Sequence, residues 1–209
     1  MGQEYDGAHM SVETPKAVLS ADAIVGEALA MVRTSGLQAL SMRTLGARMG
    51  VTAPAFYAYF SSRDELLRAC AQVGYDELAT RFAAVPAGST IEMLRQSSLA
   101  YVQMSLDEPQ LFELMFLYSP DSLGVGSGIE HSGATAVFDA MVDQLRQAIT
   151  EGDLEPAEPL DYAMALWAAV HGVATVAGMT PGLDAKGLVE RVFDGLIAGW
   201  SPRPDRTEL

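Results

Sequence analysis

The chain has 209 residues, 49% of them hydrophobic, a single cysteine and a formal net charge of −14 at pH 7. That length can bury a proper core as one domain or two small ones, and a lone cysteine excludes an internal disulfide. So acidic a balance argues against indiscriminate nucleic-acid binding, yet the charge is uneven: six cations face seven anions through residue 70, and seven face twenty beyond it.

Residues 1–18 are polar and irregular and are expected to form a tail. Ser20 then caps a first helix, with Asp22 in its first turn. Ile24, Ala28, Met31 and Val32 form the inner face, and the helix stops near Ser35-Gly36. Ser41 caps a second helix, on which Met42, Leu45 and Met49 make one apolar stripe. Gly50 ends it, because glycine takes a left-handed backbone at least cost. Thr52 caps a third helix, with Pro54 in its first turn, where a missing N–H costs nothing. Phe56, Tyr59 and Phe60 give that helix a buried side. A helix, a short glycine turn and a second helix describe a DNA-reading helix-turn-helix. An ordinary αα-hairpin shares the same glycine and stripe. Between Ala28 and Arg63 the charged residues are Arg33, Arg43, Arg48 and Arg63, with no acid among them. Such an island suits phosphate contacts.

Ser62 and Glu65 make a capping box for a long fourth helix ending near Ala84, with a domain boundary near Gly74. Cys70 falls in its apolar pattern and reads as a buried, inert thiol. Ser89 and Glu92 make a second box, followed by Ile91, Leu94, Ser98, Tyr101, Val102 and Leu106 at helical spacing. Asp107-Glu108-Pro109 opens a sixth helix whose body is apolar nearly all round, as in a helix that is buried or lines a cavity. Residues 119–133 are Gly- and Ser-rich and read as a mobile loop. A seventh helix, about residues 134–150, carries Val137, Phe138, Met141, Leu145 and Ile149. The eighth, residues 161–179, has two apolar stripes and many small residues. Pro181-Gly182 breaks the chain before a ninth helix, and residues 201–209 are a tail. Few β-branched runs and no alternation appear, so the expected fold is all-α with about nine helices. No apolar run approaches a membrane span, and no signal-peptide core is present, so a cytoplasmic protein with no membrane partner is expected.

Three linked stretches carry a resemblance. They are Gly36-Leu37-Gln38-Ala39-Leu40-Ser41-Met42-Arg43, then Gly50-Val51-Thr52-Ala53-Pro54-Ala55-Phe56-Tyr57-Ala58-Tyr59-Phe60, then Ser62-Arg63-Asp64-Glu65-Leu66-Leu67. Together they resemble the DNA-binding domain of the tetracycline-repressor (TetR) family. Trp167-Ala168-Ala169-Val170-His171-Gly172 is similar to the Trp-x-x-x-His-Gly pattern of one effector-domain subgroup, and Pro109-Gln110-Leu111-Phe112-Glu113-Leu114-Met115-Phe116 to the segment accompanying it. The resemblance implies a three-helix DNA-binding domain over residues 19–73. It implies a helical effector-binding and dimerisation domain over residues 74–200. The implied function is a transcriptional regulator, a repressor, that binds a palindromic double-stranded operator as a homodimer and is released by a small apolar or aromatic effector.

The resemblance also assigns residues. The first residues of the recognition helix, Ala53, Pro54 and Ala55, enter the major groove, where a methyl can pack against thymine. Arg43 reads guanine or holds a phosphate. Tyr57, Tyr59 and Arg63 match phosphate-holding positions, as do Thr44 and Thr52 more loosely. The effector cavity is implied within each subunit's body, with Tyr101, Met104, Phe112, Met115, Phe116, Met141, Trp167 and His171 as wall candidates. Trp167 and His171 lie one helical turn apart, which makes His171 the candidate polar anchor. Helices eight and nine carry more apolar surface than one subunit is expected to cover. A two-fold four-helix bundle hides it, through Val170, Val173 and Ala177 on helix eight and Val189, Val192, Phe193, Leu196, Ile197 and Trp200 on helix nine.

Two other readings compete. One is a DNA-binding regulator without a small-molecule effector. The other is an all-α enzyme, for which the apolar candidates supply only His171 and Glu113. No cofactor is expected, and no metal, since His171 lacks partners at metal-ligand spacing.

Overall fold

The computed structural model describes residues 19–118 and 132–203. Both expected tails, residues 1–18 and most of 201–209, and the core of the Gly/Ser loop, residues 119–131, lie outside the described residues. Among the described residues, besides a single 3-10 turn at Leu37–Ala39, there are nine helices: α1 (Ala21–Ser35), α2 (Met42–Met49), α3 (Ala53–Ala58), α4 (Arg63–Ala83), α5 (Thr90–Asp107), α6 (Pro109–Phe112, continuing as Glu113–Tyr118), α7 (Ser132–Glu151), α8 (Pro159–Met179) and α9 (Ala185–Trp200). Among the described residues there is no strand. The all-α expectation holds.

The caps show why the helices start where they do. The Ser20 hydroxyl accepts from Ala23 N at 3.2 Å. Ser41 accepts from Thr44 N at 3.1 Å, and Thr44 Oγ1 accepts from Ser41 N at 2.9 Å. That reciprocal box settles the donors left over at a helix start. At α4 the expected box is displaced by one residue. Ser62 accepts from Glu65 N at 3.1 Å, but the Glu65 carboxylate receives the N–H and O–H of Ser61, both at 2.5 Å. Gly50 closes α2 at φ +68° in the left-handed region. Two helices depart from α geometry. In α3 the bonds run three residues back, from Ala55 N to Thr52 O and from Tyr59 N to Phe56 O. Pro54 supplies no N–H to a longer ladder, and the Thr52 side chain makes no cap bond. The second half of α6 is π-helical.

The small bundle α1–α3 closes over Ile24, Leu40, Leu45 and Phe56, each 2% exposed or less. Burial of such side chains stabilises by about 1.5–3 kcal/mol each. α4 leaves this bundle and runs into the body. There α8 packs against α5, α7 and α9, while α5 also packs on α7 and α9. Gly74 marks where α6 crosses α4: a Cβ there would lie 2.5 Å from Met115 Sδ and 3.1 Å from Leu111 Cδ1. The start of α6 also packs on α1, so one short helix touches both the DNA-reading bundle and the body. Cys70 is fully buried, and desolvation pushes its thiol up to about 12, which keeps it protonated and unreactive.

One sequence expectation is corrected. α8, 21 residues with an 18-residue window of mean hydropathy 1.3, is long and apolar enough to cross a membrane by length and composition. Its Ala163, Leu166, Val170, Val173, Ala174 and Ala177 face the core instead. A helix packed on three neighbours needs apolar residues on much of its circumference.

Candidate functional site

Two regions carry candidate chemistry. The first is the outer face of α2 and α3. Arg43 and Thr44 on α2, and Thr52, Pro54, Tyr57 and Tyr59 around α3, are exposed, while Ala53 is half-buried. Phe56 and Phe60 point inward. Several of these side chains are already engaged. Thr44 Oγ1 belongs to the α2 cap. The Tyr59 hydroxyl donates to Leu19 O at 2.8 Å. Arg63 donates from Nε to Leu40 O at 2.9 Å and from Nη2 to Leu37 O at 3.2 Å. Its guanidinium therefore staples the α1–α2 connection. Tyr57 is 56% exposed.

The acid-free island of the sequence is partly neutralised in space. Arg33 pairs with Glu77 on α4 at 2.7 Å and with Glu108 at 3.1 Å, and Arg48 pairs with Glu27 on α1. Arg43 is exposed and forms no salt bridge among the described residues. Sequence reading also passed over Gly46. A Cβ there would lie 2.7 Å from Val51 O and 3.5 Å from the Phe56 ring, so α2 and α3 meet through this glycine. Its only sequence signal is a glycine inside a helical pattern.

The second region is a cavity of about 140 Å³ between α4, α5, α7 and α8. Four of the eight wall candidates line it: Tyr101, Phe116, Met141 and Trp167. The other four do not. Met104 and Met115 are fully buried, and Phe112 nearly so, in the packing behind the wall. His171 also stands behind it, and is not in contact with the cavity as expected. Its ring stacks on Phe112 at 5.5 Å and lies 5.0 Å from Trp167, and Nδ1 meets the Tyr101 hydroxyl at 2.8 Å. One helical turn brings Trp167 and His171 to the same side, but the Tyr101 ring fills the space in front of the imidazole. Sequence reading missed Tyr75, Phe138, Ser97 and Gln144, which line the cavity. Gln144 continues the Val137, Met141 stripe of α7, and a polar residue on an inward stripe is the signal that was present.

Burial lowers the His171 pKa and favours the neutral ring, whose Nδ1 shares a hydrogen bond with the Tyr101 hydroxyl. Burial raises the Tyr101 pKa, partly offset by a hydrogen bond from Trp167. The unfolded chain binds the His171 proton more readily than the folded one. This contribution to stability is therefore complete above about pH 6.5, the ordinary histidine value, and is lost as pH falls below it. The melting temperature should drop between pH 7.5 and 5.5, and His171→Gln, which can still hydrogen-bond to Tyr101, should flatten that drop. An unchanged profile in the variant would place the acid sensitivity elsewhere.

The outer faces of α8 and α9 complete the picture. Of the nine expected interface residues, Val170, Val173, Ala177, Val189 and Phe193 are buried within the subunit's own core. Val192, Leu196, Ile197 and Trp200 are half-buried, and Trp200 stacks on Tyr162 at 4.4 Å. The open face of α8 is instead Ala165, Ala168, Gly172, Val176 and Met179, the last two 48% and 77% exposed. On α9 it includes Gly195 and Gly199. Among the described residues, a Cβ at Gly172, Gly195 or Gly199 would meet no atom beyond its own stretch of helix within 4 Å. Among the described residues no cluster of metal-ligating side chains occurs.

Comparison with known proteins agrees with this arrangement. Residues 24–70 match the family described as bacterial regulatory proteins, tetR family, and residues 94–199 match the tetracyclin repressor-like, C-terminal domain. Among solved structures, a protein of unknown function from Rhodococcus sp. RHA1 is 24% identical with a TM-score of 0.76, covering 91% of this chain and 100% of its own. A TetR/AcrR-family transcriptional regulator from Thermobifida fusca is 22% identical with a TM-score of 0.64, covering 87% and 98%. SmeT, the repressor of the Stenotrophomonas maltophilia multidrug efflux pump SmeDEF, is 24% identical with a TM-score of 0.68, covering 88% and 92%. At these identities the likeness shows a shared fold. No curated protein matches the chain.

Proposed function

The chain belongs to the TetR family of bacterial transcription regulators, and from that premise we propose that it is a ligand-responsive repressor, gripping a two-fold operator as a homodimer and releasing it when a small apolar molecule enters the body cavity. It is a DNA-binding regulator and not an enzyme. Its place of work is the cytoplasm, where the operator is.

One observation carries the effector reading. Tyr75 lines the cavity, and its buried hydroxyl donates to Met115 O in the π-helical part of α6 at 2.7 Å. The start of α6 rests on α1, with Gln110 Oε1 3.1 Å from where a Gly36 Cβ would lie. Arg33 on α1 binds both Glu77 of α4 and Glu108, just before α6. A ligand that displaces Tyr75 or Phe116 therefore moves α6 and α4 together beneath the DNA-reading bundle. In a dimer that motion changes the spacing of the two recognition helices, and an operator of fixed half-site spacing then binds one state better.

Domain boundaries follow the same logic. Residues 19–73 form the reading domain and residues 74–200 the effector and dimer domain, with the division inside α4 at Gly74. Selection from a random duplex library should return an inverted repeat, released by a neutral aromatic compound. A selected sequence without two-fold symmetry would overturn the dimeric reading.

Within the reading domain, Arg43 is the proposed base reader, because it alone of the four island arginines is neither paired nor tied to a carbonyl. Arg43→Ala should cost about 1–3 kcal/mol of operator binding and relax preference at one base pair per half-site. Anisotropy titrations against single-base operator variants check this. Uniform weakening across all variants would reassign Arg43 to the phosphate backbone.

A further inference from the structure

Resting on the effector reading above, we propose that the cavity takes an uncharged, single-ring molecule bearing one hydrogen-bonding group, and rejects carboxylates and ammonium compounds of the same size. The volume sets the size. At about 140 Å³, the cavity is comparable to one of about 150 Å³ that accepts benzene, and smaller than the several hundred Å³ of drug-sized sites. The wall sets the charge. None of its described lining residues is Asp, Glu, Lys, Arg or His. An ionised ligand would lose its hydration there and gain no counter-charge. The titratable group behind the wall, His171, is held neutral by burial and already meets Tyr101.

The polar atoms set the remaining group. Most are satisfied inside the protein. Tyr75 donates to Met115 O, Tyr101 meets His171, and the Ser98 hydroxyl donates to Leu94 O at 2.8 Å. Ser97 and Gln144 are half-buried, line the cavity and form no hydrogen bond with another described residue. The Gln144 amide offers both a donor and an acceptor. A ring substituted with a hydroxyl, carbonyl or amide satisfies it, while Phe116, Phe138 and Trp167 supply aromatic contact for the ring.

The test uses the full chain with Trp200→Phe, which leaves Trp167 as the sole tryptophan. Its emission is followed at pH 7 during titration with benzyl alcohol, benzamide, benzoate and benzylamine, and with 1-naphthol as a two-ring comparison. Benzyl alcohol and benzamide should bind, and benzoate and benzylamine should bind at least about 100-fold more weakly. Charged compounds binding as tightly as neutral ones would overturn the proposal and leave the cavity as an effector site. Naphthol binding alone would overturn the single-ring size. No response to any compound would overturn the effector reading and this proposal with it. In a second arm, Gln144→Leu should weaken benzamide about tenfold and leave ethylbenzene unchanged. Equal loss for both, or loss for neither, would remove Gln144 as the hydrogen-bonding group.

Discussion

Gly172→Glu should convert the protein to monomers and lower operator affinity by more than about 100-fold. The second half of that expectation follows from linkage: two reading domains on one rigid dimer bind two half-sites with an avidity gain of about 10²–10⁴. The first half follows from the α8 surface. Gly172 is exposed at the centre of a stripe of small and apolar residues, and among the described residues no atom beyond its own stretch of helix lies within 4 Å of its Cβ position. The subunit accommodates a glutamate there, and a helix interior prefers it to glycine by up to about 1 kcal/mol. A two-fold partner packed on this stripe does not accommodate it, because two carboxylates would be brought together without water. Sedimentation and anisotropy measure the two effects, and an unchanged melting transition of the monomer separates dissociation from unfolding. Substitutions at Val189 or Phe193, both fully buried, should lower subunit stability. A Gly172→Glu protein that remains a tight dimer would place the interface on another face.

Gly46→Val should abolish operator binding while the body stays folded. The introduced Cβ would sit 2.7 Å from the Val51 carbonyl oxygen and 3.4 Å from Ala53 N. These are backbone atoms of the turn itself. Val51 N also donates to Gly46 O at 3.0 Å, so the turn is held from both sides and has no slack. Relief requires α3 to move away from α2, which opens the packing around fully buried Phe56. Overpacking of this kind costs about 1–3 kcal/mol, a large share of the stability of a small helical unit. The expected record is a lost or much weakened operator complex with Trp167 emission and ligand titration intact. Operator binding equal to that of the unaltered protein would show that the two helices can separate without harm.

The two predictions differ in what sequence alone could supply. The four-helix interface was anticipated from two apolar C-terminal helices, yet five of the nine residues named for it, Val170, Val173, Ala177, Val189 and Phe193, are buried within the subunit. Val170, Val173, Val189 and Phe193 are as apolar as an interface requires, but they fill the subunit core. The surface left over combines Val176 and Met179 with Ala165, Ala168, Gly172, Gly195 and Gly199, small residues that hydrophobicity ranks low. The cavity followed the same pattern. Tyr101, Met104, Phe112, Met115 and Phe116 lie within sixteen consecutive residues of similar character. Two of them line the cavity and three pack behind it.

What the sequence determined by itself is the local order: the nine helices, their starts at Ser20, Ser41, Ser62 and Ser89, their breaks at Gly36, Gly50, Gly152 and Gly182, and the helix-turn-helix among them. Those features depend on hydrogen bonds and backbone angles within a few residues, so a short window contains their cause. Only the tertiary structure decided which arginines remain unpaired, because Arg33 and Arg48 are paired by Glu77, Glu108 and Glu27 on other segments. It likewise decided that Arg63 staples the protein's own carbonyls, that His171 stands behind Tyr101, and that Gly46 must be glycine. Each of these depends on which distant element arrives at a given face, and apolar or charged character at one position does not encode the identity of the neighbour that covers it.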